Sequence, residues 1–184
     1  MRNNTRALMI TGLFAALTAI SAYVAIPIGP APITMQLLLT LLSGVLLGHR
    51  LGPISQLVYM IMGLVGLPVF AGGMGGPSYI FSPTFGYVIG FIAASFVVGK
   101  FLQFKHPPRV FDLWLACLAG VFVVYLIGYP YLFVVMKVVL GVEVTFLALL
   151  KPAVLVFLPG DLLKLMLAVY IGKKVRPLIL SLMV

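Results

Sequence analysis

Two long stretches without a charged side chain limit what this chain can become. Residues 7–48 contain no Asp, Glu, Lys, Arg or His, and the 49 residues from Leu51 to Gly99 contain none either. Hydrophobic residues make up 63% of the chain and charged residues 8%, against about 45–50% and 25% in soluble domains. So few charges cannot clothe a water-exposed surface, and disorder needs the opposite composition. The class that remains is an integral membrane protein. The expected fold is all-α, one domain over residues 1–184, with six transmembrane helices, outer loops folded over a pocket, and both termini inside.

Proline and glycine place the breaks, since a helix needs about 20 apolar residues to cross the hydrocarbon core. Pro27, Gly29, Pro30 and Pro32 divide helices at 7–28 and 33–49. Gly66-Leu67-Pro68 and the Gly/Pro-rich run through Pro83 separate helices at 52–66 and 84–104. A fifth helix is expected at 112–128, ending at Gly128-Tyr129-Pro130, and a sixth from Pro159 to Lys174.

Lys and Arg in short loops set orientation. With the N-terminus inside, nine of the twelve basic residues fall on the inner side, from Arg2 and Arg6 to Lys173, Lys174 and Arg176. His49 and His106 join them as solvated loop residues. The net charge of +9 therefore reads as topology, not as nucleic-acid binding, because no basic-aromatic stripe accompanies it. The outer segments 66–83 and 131–158 are too apolar for aqueous loops. Irregular backbone at membrane depth must be buried or line a cavity, so both are expected to fold back over the bundle.

Catalytic chemistry is sparse. There is no HExxH helix, no Cys/His cluster and no Gly-x-Ser-x-Gly, and Gly172-Lys173-Lys174 lacks the remainder of a phosphate loop. Cys117, the single cysteine, is a small packing residue. Asp112 is expected to cap the fifth helix. Pro159-Gly160-Asp161-Leu162-Leu163-Lys164 is different, because Asp161 and Lys164 share a helix face in apolar surroundings. Ionisable groups inside a span are costly and point to function. The alternative is a first-turn acid with a lysine snorkelling to the interface. In the first helix, Gly12-x-x-x-Ala16 and Ala15-x-x-x-Ala19 form small-residue faces that let another helix approach. The glycines among Phe70-Ala71-Gly72-Gly73-Met74-Gly75-Gly76 allow a ligand to meet the backbone.

These residues together resemble the BioY family, the biotin-binding S components of energy-coupling-factor (ECF) vitamin transporters. The likeness runs through Pro32-Ile33-Thr34-Met35-Gln36, then Gly66-Leu67-Pro68-Val69-Phe70-Ala71-Gly72-Gly73 with Gly75-Gly76. It continues in Ser82-Pro83-Thr84-Phe85-Gly86-Tyr87, where Ser82 and Phe85 replace glycines associated with the family, then in Gly90-Phe91, and closes on Pro159-Gly160-Asp161-x-x-Lys164. The resemblance implies a non-enzymatic subunit of the cell membrane that captures biotin from outside with high affinity. It needs no cofactor, while ATP is used by its partners, a transmembrane coupling protein and two cytosolic ATPases. Docking to the coupling protein would use the first helix (Gly12, Ala15, Ala16, Ala19), led by Ala15 and Ala19.

Biotin's ureido group offers two N–H donors and a carbonyl acceptor. Asp161 would take an N–H and Lys164 would donate to the carbonyl; the competing pose sets biotin's carboxylate on Lys164. Thr34 and Gln36 would add hydrogen bonds, Gly73 and Gly75 backbone contacts, and Phe70, Tyr79 and Tyr87 apolar walls. Alternatives are an S component for another vitamin, an intramembrane enzyme or a structural membrane subunit.

Overall fold

Helices form along the apolar runs and stop where glycine or proline removes the backbone's options. A computed structural model describes residues 2–26, 32–105 and 107–183. The expected breaks at Pro27, Gly29 and Pro30, and the loop position of His106, lie outside the described residues. Helix α1 spans Arg2–Ser21. A two-stranded ribbon follows, β1 (Ala25–Ile26) antiparallel to β2 (Ile33–Thr34), with Ala25 opposite Thr34. Then come α2 (Gln36–Leu64), a 3₁₀ turn at Pro77–Phe81, α3 (Phe85–Phe101) and α4 (Val110–Val134). A π-turn at Val135–Val139, α5 (Phe146–Leu150), a second π-turn at Lys151–Leu155 and α6 (Leu158–Met183) complete the order.

Helix α2 is a hairpin. Gly48 sits at φ +75°, a conformation that costs glycine little and other residues more. The side chains of Gln36 and Tyr59 bond across the turn, as do those of Thr40 and Gln56 at 3.2 Å. In a straight helix Gln36 and Tyr59 would lie about 35 Å apart at 1.5 Å per residue. Gly99 of α3 packs directly on the backbone of Gly48 and His49, so the turn is wedged against α3.

The six expected membrane-spanning helices are not what the chain forms. Among the described residues two helical segments are sufficient by length and apolar composition alone, Gln36–Leu64, which folds back at Gly48, and Val110–Val139, with a third only if the bent pair Phe146–Leu155 and Leu158–Ile179 counts as one span. Thr5–Ser21 and Phe85–Phe101 are shorter apolar helices. Apolar composition reports what a segment packs against, not how long a straight rod it makes. The first helix ends at Ser21 instead of 28, and α4 runs through Pro130 instead of stopping before it. Helix α6 continues past Lys174 to Met183.

Between helices in lipid, close packing and buried hydrogen bonds replace the hydrophobic drive. The main core joins α2, α3, α4 and α6 through Leu41, Val45, Ala94, Val98, Leu113, Cys117 and Leu165. A polar knot lies within the bundle. Gln56 Nε2 is 3.3 Å from the hydroxyls of Thr18, Ser43 and Ser55, and Ser43 Oγ is 2.7 Å from Ser95 Oγ. That knot ties α1, both arms of α2, and α3. At the far end Asp112 accepts from the Arg109 backbone N–H at 2.9 Å and pairs with Lys105 at 3.4 Å, capping α4.

Candidate functional site

Where the β2–α2 junction meets α3, α4 and α6, the helices leave a cavity of about 600 Å³, mouth included. Thr34, Gln36 and Leu37 form one wall, and Tyr87, Val88 and Phe91 of α3 another. Val124 and Tyr125 of α4 face Asp161 and Lys164 of α6. Ala71, Tyr79, Thr84 and Phe157 complete the lining from the connecting segments. An apolar lining with a few convergent polar groups is the usual make-up of a small-molecule site.

The polar floor is built on the first turn of α6. Lys164 Nζ donates to Asp161 Oδ1 at 2.8 Å, and the two side chains are 8% and 7% exposed. Tyr125 Oη donates to the other carboxylate oxygen. Asp161 also gains from the helix N-terminus, where orphan N–H groups favour a negative charge. Ionised Asp accepts only and Lys donates only. The pair therefore offers a ligand both an acceptor and a donor, with no net charge, in low-dielectric surroundings. Tyr87 stands edge-on to Tyr125 at 6.2 Å between ring centroids, and its hydroxyl donates to the Ala153 carbonyl at 3.3 Å.

The opposite wall is organised by a relay. Thr34 Oγ1 donates to Gln36 Oε1 at 2.9 Å, Gln36 Nε2 donates to the Tyr59 hydroxyl, and that hydroxyl donates to the Val69 carbonyl at 3.2 Å. A second phenol, Tyr23, donates to the neighbouring Pro68 carbonyl. The 66–76 segment is thus held from two sides. Phe70 stacks on Tyr79 at 4.2 Å and meets Tyr59 edge-on. Burial raises the Tyr79 phenol above its ordinary pKa range, with hydrogen bonds to Thr84 and Ser82 opposing the rise. It stays a neutral hydrogen-bonding group.

Comparison with known proteins places this arrangement. A model of the BioY family matches residues 1–181. The chain belongs to the BioY family. The biotin transporter BioY of Thermotoga maritima is 34% identical over 175 residues, covering 94% of this chain and 97% of that protein. The probable biotin transporter BioY of Lysinibacillus sphaericus is 42% identical over 142 residues, covering 77% and 72%. A crystal structure of the S-component for biotin from an ECF-type ABC transporter superposes with a TM-score of 0.83 at 32% identity, covering 96% of this chain and 95% of that one.

Within this BioY-family fold, six of the residues singled out from sequence line the cavity together: Asp161, Lys164, Thr34, Gln36, Tyr79 and Tyr87. Phe70 does not; it is fully buried behind Tyr79. Gly73 and Gly75 line a shallower outer depression with Met74 and Ser78, which Tyr79 separates from the cavity. The docking residues divide. Ala15 and Ala19 are 0% and 6% exposed and pack in the cluster of Tyr59, Phe70 and Phe85. Both face the bundle. Gly12 is exposed and Ala16 half-buried.

Sequence reasoning missed Tyr125, Thr84, Phe91, Val124 and Phe157. Tyr125 had a usable signal, because a phenol inside an apolar helix needs an acceptor and only three carboxylates exist in the chain. The others are ordinary apolar or hydroxyl residues that only the packing distinguishes.

Proposed function

We infer that this chain captures biotin in the cavity above Asp161 and Lys164, acting as the substrate-binding S component of an ECF-type transporter in the cell membrane. The buried Asp161–Lys164 pair, held by Tyr125 at the foot of an apolar cavity, carries this reading. Asp161 accepts a ureido N–H and Lys164 donates to the ureido carbonyl. The valeric tail runs toward the mouth, where its carboxylate keeps its hydration. Thr34 and Gln36 border the ring system, and Tyr79 and Tyr87 supply apolar contact. Gly73 and Gly75 shape the outer rim, and Phe70 sets the position of Tyr79. The whole chain works as one binding domain.

Family membership implies association with a coupling protein and ATPase subunits. The docking surface we assign is the outward face of α1, where Gly12 and Ala16 lie among exposed Leu8, Met9, Leu13 and Ile20. The chain crosses the membrane more than once, and the Lys/Arg distribution supports cytoplasmic termini. Equilibrium binding of labelled biotin to the purified chain, competed with unlabelled biotin, riboflavin and thiamine, tests the assignment. Saturable binding displaced by biotin alone is expected. Absence of binding in a folded, ligand-free sample would discard it. Biotin methyl ester separates the two poses: it competes nearly as well as biotin if the ureido group meets the pair, and poorly if the carboxylate does.

A further inference from the structure

A second cavity lies at the other end of the bundle, between the α3–α4 connection and α6. It is open to solvent on one side and is lined by Lys173 and Arg176 with Pro107, Pro108, Leu113 and Pro177. Arg176 is 7% exposed. Its Nη1 donates to the Lys105 carbonyl at 3.3 Å and its Nη2 to the Leu102 carbonyl at 3.2 Å. These bonds use the C-terminal end of α3 but bring no negative charge. Among the described residues no carboxylate pairs with Arg176 or Lys173, because Asp112 is engaged by Lys105 and the Arg109 N–H. The two bonds occupy two of the five guanidinium N–H groups.

Buried charges are normally paired. Here a buried guanidinium and an exposed ammonium border one cavity whose remaining walls are apolar. We propose that this cavity is an anionic-phospholipid site, in which Arg176 and Lys173 bind the headgroup phosphate and the proline-lined wall takes the glycerol and the first acyl methylenes. A guanidinium fork matches phosphate oxygens in pairs, and basic pockets between helices at a membrane surface are suited to such headgroups. The site is separate from the biotin cavity, since Arg176 lies about 18 Å along α6 from Lys164 at 1.5 Å per residue. It does not depend on the biotin assignment.

The test titrates the full chain, purified in detergent and stripped of lipid, with short-chain phosphatidylglycerol, phosphatidylcholine and inorganic phosphate. Bound fraction is read by native mass spectrometry and thermal stability in parallel. Phosphatidylglycerol should bind and stabilise more than phosphatidylcholine, and inorganic phosphate should bind more weakly than phosphatidylglycerol. Lys173→Gln, at an exposed position that does not threaten folding, should lower phosphatidylglycerol affinity about fivefold, the equivalent of ~1 kcal/mol per basic residue at a membrane surface. Arg176→Gln should lower it further and Arg176→Lys less. Equal binding of the two lipids, or full phosphatidylglycerol affinity in both Lys173→Gln and Arg176→Gln, overturns the proposal. So does inorganic phosphate matching phosphatidylglycerol, which would make the ligand a free anion. Loss of coupling-subunit assembly in these variants, without any lipid preference in the parent, would make the cations a protein interface instead.

Discussion

Asp161 receives hydrogen bonds from two directions, Lys164 Nζ at one carboxylate oxygen and Tyr125 Oη at the other. Each oxygen keeps lone-pair capacity for a ligand, and neither can rotate away without losing a buried bond. Lys164 spends one of its three N–H groups on Asp161. Removing one member of such a pair leaves the other charge buried, a loss of about 3–5 kcal/mol. Asp161→Asn and Lys164→Met should therefore each destabilise the chain strongly. The double variant Asp161→Asn/Lys164→Met should recover most of the stability in a thermal melt yet bind no biotin. Recovered stability with retained binding would remove the pair from the site. Tyr125→Phe is milder, because a hydrogen bond to a charged group is worth about 1.5–3 kcal/mol. It should weaken biotin binding roughly tenfold or more by isothermal titration, while the helix keeps its packing. Unchanged affinity would reduce Tyr125 to a wall residue.

At the scale of single elements, the α2 hairpin depends on Gly48 and on its contact with Gly99. Gly48→Ala forces a side chain into a positive-φ, extended-ψ conformation open essentially to glycine, at about 1–3 kcal/mol. Gly99→Ala should cost more, because its Cβ would overlap the Gly48–His49 backbone, and the clash has no flexible side chain to yield. A lower melting temperature for both, larger for Gly99→Ala, is the expected order. The sequence showed that the charge-free run must break near His49-Arg50 into two antiparallel arms, but not what holds those arms against one another. That depends on Gln36–Tyr59 and Thr40–Gln56 pairing, which residue spacing along one helix does not reveal. Asp161 and Lys164 were legible because their partnership is local, three residues apart on one helix. Ala15 and Ala19 were not, since small-residue spacing defines a face without saying which neighbour covers it; here it is the Tyr59–Phe70 cluster of the same chain. Pro130 misled for a related reason. A proline suggests a stop, yet α4 continues to Val134 and passes into a π-turn, its length set by packing on α3 and α6.

The whole molecule has two chemically different ends. The 3₁₀ turn Pro77–Phe81 precedes α3 and closes on the Asp161–Lys164 cavity through Tyr79. Lys105, Arg109, Lys173, Lys174 and Arg176 collect at the other end of α3 and α6. Helix α3 alone separates the two ends by about 25 Å at 1.5 Å per residue. A basic end retained in the cytoplasm puts the cavity mouth outside, as capture from the medium requires. Cysteine labelling checks this with little background, because the native Cys117 is fully buried. Ser78 and Lys174 are both exposed and lie at opposite ends. Ser78→Cys should react with a membrane-impermeant maleimide in intact cells, and Lys174→Cys only after permeabilisation. The reverse pattern would invert the molecule and place the cavity where it could only release biotin. Added biotin sharpens the test, since Ser78 belongs to the turn that carries Tyr79. Slower labelling of Ser78→Cys in its presence, with Lys174→Cys unaffected, would tie the outer turn to ligand occupancy as well as to orientation.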